Sequence, residues 1–79
     1  MDARTEICKL PVDPWGLTRR QRETIHAMTQ TGNLKLAARA TFVEESTVDD
    51  HLRAVRLKMG VRFTALAMVQ WDRFARGAA

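Results

Sequence analysis

The sequence has only one cysteine, two prolines, four glycines and no tyrosine among its 79 residues. The single cysteine, Cys8, excludes an internal disulfide and a cage of several thiolates around a metal, and it favours a reducing, cytoplasmic setting. Scarce glycine and proline, together with 46% hydrophobic and 28% charged residues, exclude a disordered or low-complexity chain. We therefore expect the chain to fold.

Long apolar segments are missing as well. No stretch approaches the roughly 18 uninterrupted apolar residues of a membrane span, and the N-terminus lacks the apolar core of a secretion signal. A length of 79 residues holds one domain at most, which excludes large catalytic scaffolds. We expect a one-domain cytoplasmic protein that does not associate with a membrane.

Basic residues exceed acidic ones by 13 to 9, which gives a formal net charge of +4. Bases and acids number two and three in residues 1–16, eight and five in residues 17–60, and three and one in residues 61–79. The positive charge therefore lies in the predicted folded body. Such an excess favours a polyanionic partner.

Residues 1–16 mix charges without periodicity and contain both prolines, which disfavours a long helix. We predict a short N-terminal arm over residues 1–16 and a helical domain over residues 17–79. Val12 and Trp15 are the arm residues that can dock on the domain, because a tryptophan in a small domain is more often a packing anchor than a ligand platform.

Two helices are predicted after the arm. Thr18 and Gln21 have the spacing of a capping box, which predicts a helix over residues 19–30. Asn33 is a favourable N-cap for a second, short helix over residues 34–41.

Two more helices complete the prediction. Apolar residues recur at spacings of four, three and four over residues 45–59, which predicts a helix with one buried seam that ends at Gly60. A fourth helix follows over residues 64–76. No strand pattern is present, so the predicted fold class is all-α with four helices. The seam consists of Val48, Leu52, Val55 and Met59.

A short helix, a tight turn and a longer helix with a polar outer face form the helix-turn-helix arrangement. The exposed N-terminal half of the second of these helices can enter the major groove of double-stranded DNA. Helical hairpins of this shape also occur as pure structure, so spacing alone leaves both interpretations open. The outward positions of the predicted recognition helix, residues 45–59, are Glu45, Ser46, Asp49, Asp50 and Arg53.

Four blocks of the sequence stand in an order and spacing found together in a known family. The blocks are Leu17-Thr18-Arg19-Arg20-Gln21-Arg22-Glu23, Ala38-Arg39 with Phe42-Val43, Ser46-Thr47-Val48 with His51, and Lys58-Met59-Gly60-Val61. They resemble the LuxR/GerE-type helix-turn-helix domain without a gap over residues 17–69. The resemblance implies a four-helix DNA-binding domain of a bacterial or phage transcriptional regulator that dimerises through its fourth helix.

Positions carried over from the resemblance imply which residues face DNA. Asp49, Asp50 and Arg53 fall at base-reading positions, and the outward Ser46 completes that set. Lys35, Thr47 and Lys58 fall at phosphate contacts, and other basic residues of the helices extend that group. The full set of expected phosphate contacts is Lys35, Arg39, Thr47, Arg56 and Lys58.

The acidic start of the recognition helix departs from the family pattern, which has a small N-cap residue where Glu44 stands and a lysine with an uncharged neighbour where Asp49 and Asp50 stand. Aspartate can accept a hydrogen bond from the cytosine amino group, which is compatible with DNA reading. Alternatively, the acidic face binds a basic protein, so that the domain is an interaction module or an antagonist of a regulator. The i, i+4 spacing of Asp49 and Arg53 also predicts a surface ion pair.

The fourth predicted helix has apolar residues on more than one face. One face can pack on the body, and the surplus predicts a twofold homodimer in which this helix meets its copy. The alternative is a deeply buried C-terminal helix in a monomer. The predicted interface residues are Leu66, Val69, Trp71 and Arg73.

Catalytic and metal sites are not expected. His26 and His51 lie on different predicted helices, Cys8 lies in the arm, and we interpret His26 as a surface residue. Single glycines at helix ends form no phosphate-binding loop. RNA binding lacks an aromatic stacking platform, since aromatics make up only 6% of the chain. We expect no enzyme activity, metal or cofactor.

Overall fold

The computed structural model describes residues 11–77. Within that range the chain forms four α-helices and no strand, and every helix boundary agrees with the prediction to within one residue. The all-α fold class is therefore confirmed. Residues 1–10 of the predicted arm, Cys8 among them, and residues 78–79 lie outside the described residues. The helices are α1 (Arg19–Thr31), α2 (Leu34–Thr41), α3 (Glu45–Met59) and α4 (Thr64–Gly77).

Local side-chain signals set the helix ends. The backbone N–H of Gln21 donates to the Thr18 hydroxyl at 3.2 Å, and the backbone N–H of Thr18 donates to the Gln21 side-chain oxygen at 3.0 Å. This is the predicted capping box. The Asn33 side chain accepts the backbone N–H of Leu36 at 3.2 Å and starts α2. Gly60, in the left-handed conformation, ends α3.

All four helices contribute to a single core. The seam of α3 is buried as predicted, and Ala37 and Ala38 of α2 are buried against their neighbours, which lets α2 approach α1 and α3 closely. The buried apolar residues are Leu17, Ile25, Ala27, Met28, Ala37, Ala38, Val48, Leu52, Val55, Met59, Ala67 and Trp71.

Trp71 is the largest fully buried side chain of the described residues. Its indole Nε1–H donates to Nδ1 of His26 on α1 at 3.0 Å, and His26 is half-buried. Two predictions are corrected here. Trp71 has no exposed surface with which to meet a second copy of the chain, and His26 belongs to the packing between α1 and α4 instead of the open surface.

The described end of the arm docks on the domain through Trp15. This ring is half-buried and meets the ring of Phe74 edge-on, with 5.7 Å between centroids. Val12, the other predicted docking residue, is 88% exposed and does not dock. The buried carboxylate of Asp13 accepts the backbone N–H groups of Trp15 at 3.0 Å and Leu17 at 3.1 Å. Residues 13–16 are thus tied to the start of the domain.

No helix within residues 11–77 is both long enough and apolar enough to cross a membrane.

Candidate nucleic-acid interface

The outer face of α3 carries all the predicted base-reading residues. With the apolar seam turned toward the other helices, Ser46, Asp49, Asp50 and Arg53 are all exposed. Their spacing of i, i+3, i+4 and i+7 places them on one face of the helix. The structure therefore brings these four residues together on a continuous surface opposite the core.

The predicted ion pair between Asp49 and Arg53 does not form. The ion pairs of the described residues join other partners, and neither of these two side chains takes part in one. An exposed pair of this spacing is worth only about 0.2–0.5 kcal/mol, which hydration and side-chain entropy readily offset. The prediction was wrong, and the Arg53 guanidinium remains available to a ligand.

Lys35 and Arg39 are the two basic residues of α2. They lie four residues apart on that short helix, and both are exposed. Thr47 is half-buried in the first turn of α3. These three predicted phosphate contacts therefore lie on the two helices of the hairpin.

Arg56 has a partner within the fold. Its Nη1 donates to the hydroxyl of Thr64 at 2.7 Å, and the half-buried side chain joins the end of α3 to the start of α4. The sequence prediction treated Arg56 as a phosphate contact. This hydrogen bond joins α3 to α4, and the phosphate contact of Arg56 stays a prediction.

Lys58 is also engaged within the fold. Its ammonium group donates to the Gln21 side-chain oxygen at 2.7 Å and to the Gly16 carbonyl at 3.1 Å. Gln21 is the same side chain that caps α1, so Lys58 attaches the end of α3 to the start of α1. An ammonium group has three donors, which leaves one for an external acceptor. These partners are 37 and 42 residues away along the chain, and no local pattern reveals them.

An open groove of about 550 Å³ lies beside the turn between α2 and α3. Cations from α2 and carboxylates from the start of α3 line it together, so its charges have both signs. The lining residues are Lys35, Ala38, Arg39, Phe42, Val43, Glu44 and Glu45.

Phe42 forms the turn beside this groove in an unusual conformation. It caps the C-terminus of α2 with φ 59° and ψ 38°, in the left-handed region, and its side chain is 72% exposed. Among residues 11–77 it is the only non-glycine residue with positive φ. The left-handed position after a helix is usually occupied by glycine or asparagine. Because residue 42 is a phenylalanine, the sequence did not predict this conformation.

The exposed side of α4 is the candidate dimer surface. Leu66 and Val69 are each 49% exposed, and Arg73 is exposed one turn further along. Their spacing places them on one face. Of the predicted interface residues, these three share a surface, and Trp71 points into the core instead.

The charge along α3 is arranged with respect to its helix dipole. Glu45 lies in the first turn, and Arg56 and Lys58 lie in the last, so each charge is opposite in sign to the helix end it occupies. Among residues 11–77, no three His, Cys, Asp or Glu side chains are grouped so that they could hold a metal ion.

Comparison of the chain with protein-family models, with curated proteins and with solved structures finds no match.

Proposed function

We propose that the domain beginning at Leu17 is a LuxR/GerE-like helix-turn-helix module that binds double-stranded DNA with sequence preference and regulates transcription as a dimer. The observation that carries the proposal is the division of α3 into two faces. One face is locked into the core by its apolar seam, and the other presents Ser46, Asp49, Asp50 and Arg53 to solvent. A helix held in this way can enter the major groove.

Base reading follows from the chemistry of the exposed face. The Arg53 guanidinium can donate two hydrogen bonds to O6 and N7 of guanine, and the carboxylates of Asp49 and Asp50 can accept from the N4 amino group of cytosine. Each good bidentate contact discriminates against a wrong base by about 1–3 kcal/mol. The absence of an ion pair between Asp49 and Arg53 supports this assignment, because neither side chain must first be released.

Backbone contacts orient the helix in the groove. Lys35 and Arg39 are exposed on α2 and line one groove with Glu44 and Glu45 of the turn and of the start of α3, which supports a role for both cations in contacting phosphates. Lys58 can use its third N–H group for a phosphate while it holds α1. Such contacts supply affinity without sequence preference.

Dimerisation is proposed through α4. Leu66, Val69 and Arg73 form an exposed face that is apolar at its start and basic at its end. A twofold pairing of this face would present two copies of α3 to successive major grooves, about one helical turn of DNA apart.

The proposal is tested by comparing two kinds of variant on a selected operator and on an unrelated duplex. Arg53→Ala is expected to lose the preference for the operator, whereas Lys35→Ala is expected to weaken binding to both duplexes equally. Equal losses on both duplexes for both variants would contradict the assignment of reading and positioning residues.

A second candidate function rests on the acidity of the same face. Glu44, Glu45, Asp49 and Asp50 are all exposed, and phosphates repel this surface. In this alternative, α3 binds a basic protein partner, and the domain acts as an interaction module or as an antagonist of a regulator. Replacing Asp49 by Lys together with Asp50 by Asn separates the two functions, because it strengthens non-specific DNA binding only if this face approaches phosphates.

A further inference from the structure

Phe42 combines two features that each lower the stability of a turn. Its backbone is left-handed, with φ 59°, which brings the Cβ atom of a side chain close to the neighbouring carbonyl oxygen. Its ring is 72% exposed, so burial of the ring offsets little of the stability lost in the turn. The other positive-φ positions among residues 11–77 are all occupied by glycine: Gly16, Gly32 and Gly60.

Backbone hydrogen bonds close the turn at position 42. The N–H of Phe42 donates to the Arg39 carbonyl at 3.3 Å, and the N–H of Val43 donates to the Ala38 carbonyl at 3.1 Å. These bonds close the C-terminus of α2 in the manner of a Schellman cap, for which glycine is the favoured residue. A residue held in a disfavoured conformation by its surroundings is frequently one with a functional role.

Phe42 lines the groove that also contains the two exposed cations of α2. Lys35, Arg39 and Phe42 follow one another at spacings of four and three, and all three line the groove. Glu44 and Glu45, from the start of α3, line it as well. The carboxylates repel phosphates and the two cations attract them, so we expect a DNA strand to approach this groove at Lys35 and Arg39.

We propose that Phe42 is a DNA-contacting residue whose ring packs on the apolar deoxyribose surface of the strand held by Lys35 and Arg39. The inference rests on the proposed function and adds to it an apolar contact beside two electrostatic ones. Sugar and phosphate contacts fix the position of a protein on the duplex. Phe42 thereby helps to set the depth and angle at which α3 enters the major groove.

An apolar contact has a different salt signature from a phosphate contact. Phe42→Gly removes no charge, so it is expected to weaken binding by about tenfold at every salt concentration without changing the slope of log K against log salt. Lys35→Gln is expected to reduce the magnitude of that slope by about 1.8 for a dimer, since one phosphate contact is lost from each protomer.

The same substitution is expected to stabilise the free protein. Phe42→Gly places glycine in the left-handed cap, where it has no Cβ penalty, so the Tm is expected to be at or above that of the wild type. A ring that served only the fold would give the opposite result. The matched control is Phe63→Ala, because Phe63 is 66% exposed and lies beyond the other end of α3.

The experiment measures fluorescence anisotropy of a labelled random-sequence duplex of about two helical turns against a salt series, together with thermal unfolding, for the wild type and the three variants. Weaker binding of Phe42→Gly with an unchanged slope and an undiminished Tm, and no change for Phe63→Ala, supports the proposal. Unchanged binding of Phe42→Gly while Lys35→Gln binds more weakly overturns it, leaves the proposed function standing and points to a protein contact for the ring.

Two further outcomes also count against the contact. A lower Tm for Phe42→Gly assigns the ring to the fold and overturns the proposal. No binding of the wild type even at low salt overturns both this contact and the proposed function.

Discussion

The indole Nε1–H of Trp71 donates to Nδ1 of His26 across 3.0 Å, and the two rings meet edge-on with 6.0 Å between centroids. This hydrogen bond joins α4 to α1 through the largest buried side chain of the described residues. Because Nδ1 is the acceptor, the neutral imidazole carries its proton on Nε2. The pair fixes the orientation of α4, and with it the candidate dimer face on the opposite side of that helix.

His26→Ala is expected to destabilise the fold, since it leaves the buried indole N–H of Trp71 without this acceptor. The expected loss in the free energy of unfolding is about 1–3 kcal/mol, or roughly 4–8 °C in Tm for each kcal/mol. Thermal unfolding followed by circular dichroism measures it. The control is His51→Ala, at a half-buried position of α3. An equal loss of unfolding free energy in both variants would show that the hydrogen bond from the indole contributes nothing specific to stability.

Asp13→Ala tests whether the end of the arm belongs to the folded unit. The buried carboxylate accepts two backbone N–H groups, from Trp15 and Leu17, so its removal is expected to lower the free energy of unfolding by about 2–3 kcal/mol. Urea unfolding gives this value directly. Val12→Ala, at an 88% exposed position, should leave it unchanged. If Asp13→Ala were as stable as the wild type, residues 13–16 would be a dispensable extension.

Arg53 and Arg56 lie three residues apart on α3, and alanine substitution is expected to affect a different property at each position: DNA sequence preference at Arg53 and stability at Arg56. Arg56→Ala loses the 2.7 Å hydrogen bond to Thr64 and is expected to cost about 0.5–1.5 kcal/mol of stability. Arg53→Ala should change stability by less than about 0.5 kcal/mol while it reduces the preference among DNA sequences. Chemical denaturation and binding assays on the same two variants compare them, and a loss of stability confined to Arg53→Ala contradicts these roles.

Local signals explain why the helices were predictable. Thr18 with Gln21, Asn33 and Gly60 each act on their own helix end, and the seam of α3 repeats within one helix, so neighbouring residues determine these features. The exposed face of α3 then follows as the side opposite the seam. Sequence periodicity therefore accounts for the four helices and for the surface on which Ser46, Asp49, Asp50 and Arg53 lie.

Features that depend on tertiary contact could not be read from the sequence. The bond from Trp71 to His26 joins residues 45 apart, and the bond from Lys58 to Gln21 joins residues 37 apart. The left-handed backbone of Phe42 was not predictable from its residue type, because glycine or asparagine normally occupies that conformation. An apolar pattern on α4 likewise could not separate Trp71, which faces the core, from Leu66 and Val69, which face solvent.

Dimerisation through α4 is tested by introducing negative charges on the exposed face of this helix. The wild type is expected to sediment as a dimer at tens of micromolar, and Leu66→Glu combined with Val69→Glu is expected to give a folded monomer, since both positions are about half exposed at 49%. Sedimentation equilibrium distinguishes the two states. A monomeric wild type at this concentration contradicts the α4 dimer.

The acidic reading face is tested by reversing part of its charge. Asp49→Lys combined with Asp50→Asn should strengthen non-specific DNA binding if this face approaches phosphates, because two carboxylates are replaced by one cation. Anisotropy on a random-sequence duplex measures the change. Unchanged affinity would show that α3 never meets DNA and would favour a basic protein partner for Glu44, Glu45 and their neighbours.

The salt dependence of wild-type binding decides whether α3 and its flanking cations bind duplex DNA. Anisotropy of a labelled random-sequence duplex of about two helical turns is measured from low to physiological salt. With about three phosphate contacts from each protomer of a dimer, we expect the plot of log K against log salt concentration to have a slope of about −5. Absence of binding at low salt, or binding that does not change with salt, would contradict it.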